Sequence, residues 1–337
     1  MFGSVVATAH HSPFLYFDPS QSVVVEGKIT GYQWRNPHVV FLLSAENDSG
    51  EKVEWVLETH SVSILGRMNL TKDSVQVGDE VRVAGWPSKG NNSYEIFMTN
   101  MLMPSGEEVV FDAAAPPLWS DQRVGNGSAW LTTEANLSAN TYSDIFHVWS
   151  TSLAEGDGNF LYENYDFKLT ESAAAARAAF DMFNHPIIGT CVYKGMPTIM
   201  EQPYPMQFAE SQDLIIMHME EGNTVRTFDM GPNANYRDRE PTGLGYSVGK
   251  WEEGLLVVTT INISWEWVEL TGVPMSPEAV VIETFKTSED GNRLDYTMTI
   301  ENDDVFTESP VFSKSWLAVP GERVDAYNCE SGLIEPR

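Results

Sequence analysis

The sequence predicts a mainly β protein of two domains, each a closed barrel, with one flanking helix laid against the second. Three observations predict it. The chain of 337 residues is long enough for two domains with separate cores. Aromatic residues make up 11%, with ten Trp and twelve Tyr, and flat side chains favour the pleated face of a sheet. Short runs rich in β-branched and aromatic residues, separated by turn residues, recur along most of the chain.

Composition narrows the function classes. Hydrophobic residues at 42% and charged residues at 20% describe a globular chain, not a disordered one. No apolar run approaches the roughly 18 residues that span a bilayer, so no membrane span is expected. Twenty Lys and Arg stand against 48 Asp and Glu, a formal charge of −28. Nucleic-acid binding draws its free energy from cations set against phosphates, and nothing here resembles a basic stripe. Anionic membrane surfaces are disfavoured for the same reason. Such acidity suits a salty or extracellular setting, or an affinity for cations, without choosing between them.

The opening residues point out of the cytoplasm. Ala7-Thr8-Ala9 has the small-residue pattern that precedes a signal-peptidase cut, although the apolar stretch before it is short and lacks a positive n-region. Residues 1–9 therefore read as a signal-peptide remnant, and His10 as the start of the mature chain. The α-amino and ring nitrogens of a terminal His chelate one metal ion together. A further imidazole completes a nitrogen-rich site suited to copper, or to zinc, and His11 and His38 are the candidates for it. The rival reading is a solvated terminus with idle histidines.

The first domain is expected over residues 10–112. Strands are predicted at 23–32, 38–44, 52–57, 80–86 and 94–103, with a short helix at 61–68 and Gly27 as a bulge that bends the first strand. Three strands, a helix, then two strands is the order of an OB-like barrel, whose helix plugs the barrel between the third and fourth strands. Such barrels often bind oligonucleotides or sugars. Net charge argues against the former. Trp34, Trp55 and Trp86 are candidates for stacking on sugars or for core packing.

Residues 113–140, rich in Ala, Pro, Gly, Ser and Asn, read as a linker, leaving 141–337 for the second domain. Its one clear helix is capped by Thr170, driven by the alanines of 173–176 and stopped at Asn184-His185-Pro186, with Phe180 and Phe183 facing the barrel. Strands follow at 206–212, 214–220, 225–229, 246–251, 255–262, 279–288, 293–301 and 311–318, with Asp290-Gly291 as a hairpin turn. This is the pattern of an up-and-down antiparallel barrel, lipocalin- or calycin-like, which removes exposed edges and can enclose a small ligand.

Ligand-lining candidates are Tyr246, Trp251, Trp265, Trp267 and Phe285, with Trp34, Asn36 and His38 as an accessory polar site in the first domain. No nucleophile elbow, zinc-protease helix, P-loop or dinucleotide glycine motif occurs. Glu283 and Tyr246 are the candidate acid–base pair, since burial raises a carboxylate toward neutrality. Met217-His218-Met219 resembles a copper-binding cluster, but strand alternation places His218 on the opposite face from both methionines. Cys191 and Cys329 lie far apart and outside any CxxC arrangement. In a cytosolic chain they would be two separate thiols. In an exported one they would form a disulfide tying the C-terminus to the start of the second domain, and the export signals favour that bridge.

Two stretches carry a family likeness. His10-His11-Ser12, Phe17-Asp18, Gly27, Trp34-Arg35-Asn36-Pro37-His38, Val53-Glu54-Trp55 and Val77-Gly78-Asp79-Glu80-Val81 resemble an exported bacterial family of unknown function, over about residues 9–111. That resemblance implies export and an OB-like barrel, and no activity. It also raises the weight of His38, which Pro37 would hold rigidly at a barrel mouth. Residues 186–330 look like a recurring exported bacterial domain of unknown function, through Cys191, Gly195-Met196-Pro197, Pro203-Tyr204-Pro205-Met206, Gly245-Tyr246-Ser247, Glu283, Phe285 and Tyr327-Asn328-Cys329. Relatives there often read Gly-His-Ser, so a histidine's role does not carry over to Tyr246.

The resulting expectation is a periplasmic or secreted bacterial protein that binds a small, largely apolar molecule in its second barrel. The alternatives are a copper- or zinc-binding protein using His10, His11 and His38, and an isomerase or hydrolase with Glu283 as base.

Overall fold

The computed structural model describes residues 13–47, 49–90, 94–112, 115–125, 144–151, 161–162, 165–183, 185, 191–232, 234, 236 and 238–329. The elements are mostly strands arranged in two closed β-barrels, as the sequence predicts. No helix among them is long and apolar enough to cross a membrane.

The first barrel follows a short helix α1 (Pro13–Tyr16) and consists of β1 (Val23–Gln33), β2 (Val40–Glu46), β3 (Lys52–Glu58), β4 (Glu80–Pro87) and β5 (Glu95–Leu102). Their order is β3-β2-β1-β4-β5, and a parallel pairing of β3 with β5, from Val56↔Glu95 to Glu58↔Phe97, closes the ring. Val25, Ile29, Phe41, Leu43, Val83 and Met98 face its core. Helix α2 (Val62–Arg67) lies between β3 and β4 in sequence, and Ile64 and Leu65 plug that core. Its N-cap Ser61 accepts from Ile64 N. The expected bulge at Gly27 lies instead between Ile29 and Gly31. Gly27 serves a different need, since a Cβ there would sit 2.5 Å from Ser44 O.

The expected linker does not start at 113. β6 (Glu108–Val110) pairs with β5, and β7 (Arg123–Val124) pairs with β6, so residues 115–125 fold back on the first barrel. Buried Glu108 draws them in by accepting from the backbone N–H groups of Leu118, Trp119 and Ser120 and from Asn100 Nδ2.

The second barrel has nine strands: β8 (Val148–Ser150), β9 (Met206–Ser211), β10 (Leu214–Met219), β11 (Thr224–Asp229), β12 (Tyr246–Glu252), β13 (Leu255–Ile261), β14 (Val280–Thr287), β15 (Arg293–Glu301) and β16 (Val311–Ala318). Eight match the predicted runs closely. β8 has only three residues, too short to show a period, and closes the ring between β16 and β9 around buried Trp149. The barrel is not wholly antiparallel as expected: β11 and β12 run parallel. The flanking helix α3 (Glu171–Ala179) ends before Phe180, which is extended at ψ 124°. Phe180 then packs on Trp267 at 4.9 Å, whereas Phe183 leaves the second barrel and meets Tyr16 of α1 at 5.2 Å.

The barrels are joined by more than the chain. Cys191 and Cys329 form the expected disulfide, with Cα atoms 5.8 Å apart. The tail carries Tyr327 into the first barrel's core beside Tyr204. Arg67 of α2 forks onto Glu220 at 3.0 and 2.8 Å and reaches Glu322 at 3.1 Å.

Candidate functional site

Alternation along the second barrel's strands aims residues inward at every other position. Most inward residues are apolar, and Phe208, Met217, Phe228, Phe285, Tyr296 and Trp316 fill the centre. A buried ion pair interrupts this core. Arg226 of β11 and Glu283 of β14 are both fully buried and form a forked ion pair, Nη1 to Oε1 at 2.9 Å and Nη2 to Oε2 at 2.5 Å. Tyr296 donates to Glu283 Oε1 at 2.8 Å. The hydroxyls of Ser247 and Thr260 lie 2.8 Å apart beside Arg226 Nη2, and Nη1 points at Met200 Sδ. Burial alone would depress the Arg226 pKa, but the charge and hydrogen bonds of Glu283 outweigh it and the net shift is upward. Burial, and then the Glu283 charge, hold the Tyr296 phenol well above its ordinary range.

A gap in the wall leads to this group. β11 and β12 pair at only two positions, Phe228↔Ser247 and Asp229↔Val248, so among the described residues the earlier half of β11 has no strand partner on that side. A cavity of about 340 Å³ occupies the gap, lined by Arg226, Tyr236, Arg239, Thr242, Tyr246 and Ser247 among others. Gly245 turns the chain into β12 at φ +66°, where a Cβ would meet Ile261 O at 2.7 Å. The turn brings Tyr246 onto Tyr236, their rings stacked 5.1 Å apart, and Arg239 lies over both. Tyr236 donates to Asp229, and that hydrogen bond raises the phenol's pKa.

The structure therefore scatters the predicted ligand set. Phe285 is part of the packed centre, against Phe208, Phe228 and Tyr296. Trp251 is exposed, Trp265 donates to Thr198 Oγ1 at 2.7 Å, and Trp267 lies against Phe180 and His185. Only Tyr246 lines the gap. Glu283 and Tyr246 are not brought together as an acid–base pair, because Glu283 is taken by Arg226 and Tyr296 while Tyr246 stacks on Tyr236 at the rim. Glu283 accepts from both terminal nitrogens of Arg226, from Tyr296 and from Thr260 Oγ1.

In the first barrel the Trp34-Arg35-Asn36-Pro37-His38 segment connects β1 to β2. Asn36 Oδ1 accepts from Val62 N and so tethers the start of α2. Buried His38 places Nδ1 2.9 Å from Thr59 O and 3.2 Å from Glu58 Oε1. Trp34 and Asn36 line a second cavity, about 530 Å³, shared with Arg67, Glu322 and Asp325 at the seam between the barrels. His10 and His11 lie outside the described residues, and among those described no three His, Cys, Asp or Glu converge as metal ligands. Met217 and Met219 are buried in the core, with His218 on the other face.

Sequence reasoning missed Arg226, Arg239, Ser247, Thr260 and Tyr296. The signal for Arg226 was present: Thr224, Arg226 and Phe228 occupy alternate positions, so one arginine shares a face with a core phenylalanine. A second polar group in the same barrel joins Lys314, buried on β16, to the backbone oxygens of Glu201 and Gln202. Burial lowers Lys314 to a pKa of about 8 and raises Glu201 to about 7.

No curated protein and no solved structure matches the chain. Residues 1–96 match DUF6152, a family of unknown function, in line with the unknown-function family expected for the first domain.

Proposed function

We propose that the chain is an exported binding protein whose second barrel takes a small molecule at the gap between β11 and β12. The observation that carries this reading is the cavity of about 340 Å³ lined by a fully buried arginine, in a barrel whose core is mostly apolar. That volume lies near the lower end of small-molecule pockets, about 300–1,000 Å³. A molecule with a polar end has more support than the largely apolar one expected from the aromatic residues, since hydroxyls and guanidinium groups line the gap. Export, to the periplasm or beyond, is supported by the Cys191–Cys329 bridge, because disulfides persist in oxidising compartments. The first barrel's strand order and inserted helix support an OB-like reading, with Trp34 and Asn36 at the seam cavity as an accessory polar site.

Native mass spectrometry of protein secreted with its full signal peptide tests both parts. The expected spectrum shows a leaderless chain with one disulfide and a non-covalent small-molecule adduct that Tyr246→Ala loses. A ligand-free spectrum, together with unfolding temperatures unmoved by a broad small-molecule panel, discards the binding reading. An uncleaved chain with free thiols discards export.

A further inference from the structure

We propose that the molecule taken at the β11–β12 gap carries a carboxylate on a flat ring, with the carboxylate meeting the guanidinium groups of Arg226 and Arg239. This rests on the binding reading above and narrows it to a ligand class. Three independent features of the gap support it.

The first is an unmet donor. Both terminal nitrogens of Arg226 are committed to Glu283, but its Nε is buried and has no hydrogen-bond partner. A buried donor left unsatisfied is costly, so an acceptor oxygen delivered there recovers free energy that the unliganded protein forgoes. The second is charge. The chain has 48 acidic residues and 20 basic ones, yet the residues lining this cavity include two arginines and no carboxylate. Asp229, which lies beside Tyr236, already accepts from Tyr236 and from Gly231 N. The third is the mouth. Arg239 has no ion pair among the described residues; its backbone is tied to Asn262 and Tyr236, and its guanidinium lies 5.4 Å over the Tyr236 ring and 6.0 Å over that of Tyr246. A guanidinium in that state is open to the forked pairing that carboxylates favour. Glu283 cancels the charge of Arg226, so the uncompensated positive charge is that of Arg239. The gap thus suits a monoanion better than a dianion. The two tyrosine rings beside it offer flat apolar surface for the ligand's ring.

Calorimetric titration of the full disulfide-bonded chain with benzoate and with its neutral isostere benzamide tests the class. Benzoate is expected to bind at least about ten-fold more tightly than benzamide. In Arg239→Gln, a rim substitution that leaves the buried pair intact, this preference should collapse while benzamide affinity stays the same. Tyr246→Ala should weaken both ligands. Equal affinities for the two probes, or benzamide binding alone, overturn the carboxylate inference but leave the binding reading standing. Benzoate binding unchanged by both substitutions places it elsewhere on the protein and also overturns the inference, as does no benzoate binding by the folded chain. The binding reading itself is then judged by the native mass spectrum.

Discussion

Taking an arginine and a glutamate out of water costs several kcal/mol per ion, which pairing recovers only when every donor and acceptor is well placed. At Arg226 and Glu283 the fork, the Tyr296 hydroxyl and the Ser247–Thr260 pair meet most of that requirement. Removing one partner should therefore hurt more than removing both. Arg226→Met is expected to lower unfolding free energy by about 3–5 kcal/mol, and Arg226→Met with Glu283→Leu by clearly less. Urea denaturation of the two single variants and the double variant decides it; simple additivity would show that the pair is not coupled. Glu108 gives a pH-dependent case. Burial pushes its carboxyl up, but three backbone N–H groups and Asn100 outweigh that and hold it below its ordinary value of 4.5. A depressed carboxylate contributes stability above its unfolded pKa and loses it as pH falls through the folded one. Glu108→Gln should thus cost about 2 kcal/mol near neutrality, with the gap to the unsubstituted chain shrinking below about pH 4.5. A gap independent of pH would refute the assignment.

At the scale of elements, both barrels depend on where regular pairing is broken. β4 and β5 shift register between Ala84 and Gly85, and a Cβ on Gly85 would lie 2.2 Å from Phe97 O. No rotamer relieves a clash with backbone. Gly85→Ala is expected to destabilise the chain by about 2–4 kcal/mol, read by thermal unfolding, with a neutral result showing that the strands can part there at little cost. The β11–β12 gap works the other way. Its two-residue parallel ladder leaves a stretch of wall open, and Arg226 lines the cavity there while staying buried. Helix α2 connects the two uses of the first barrel. Ser61 and Asn36 meet its leading N–H groups, its apolar residues plug the core, and its last residue, Arg67, crosses to the second barrel.

For the molecule as a whole, the tail is the element that unites the barrels. Tyr327 packs in the first core, Asn223 exchanges hydrogen bonds with the Tyr327 backbone, and Cys329 is bonded to Cys191 across 138 residues. Closing so long a loop in the unfolded chain restricts it heavily. Cys329→Ser should therefore lower stability by about 2–4 kcal/mol, and reductant should do the same to the unsubstituted chain. Equal midpoints in guanidinium with and without reductant would show that the packed tail suffices without the bond.

Much of this was legible in the sequence because strand patterns are local. Eight of the second barrel's strands, the α2 plug and the five strands of the first barrel follow from alternation and turn residues that lie within a few positions of one another. Even the inward positions of Arg226 and Glu283 follow from the same period of two. Their pairing does not. It joins residues 57 apart across the barrel's interior, and no local rule chooses a partner at that distance. The same holds for β8, too short to have a period, and for the parallel β11–β12 contact, set by how the ring closes around its contents. The tryptophans expected in one cavity are spread over three environments for that reason. Alternation states which side of a strand a residue takes, while the curvature and closure of the sheet set what it meets there.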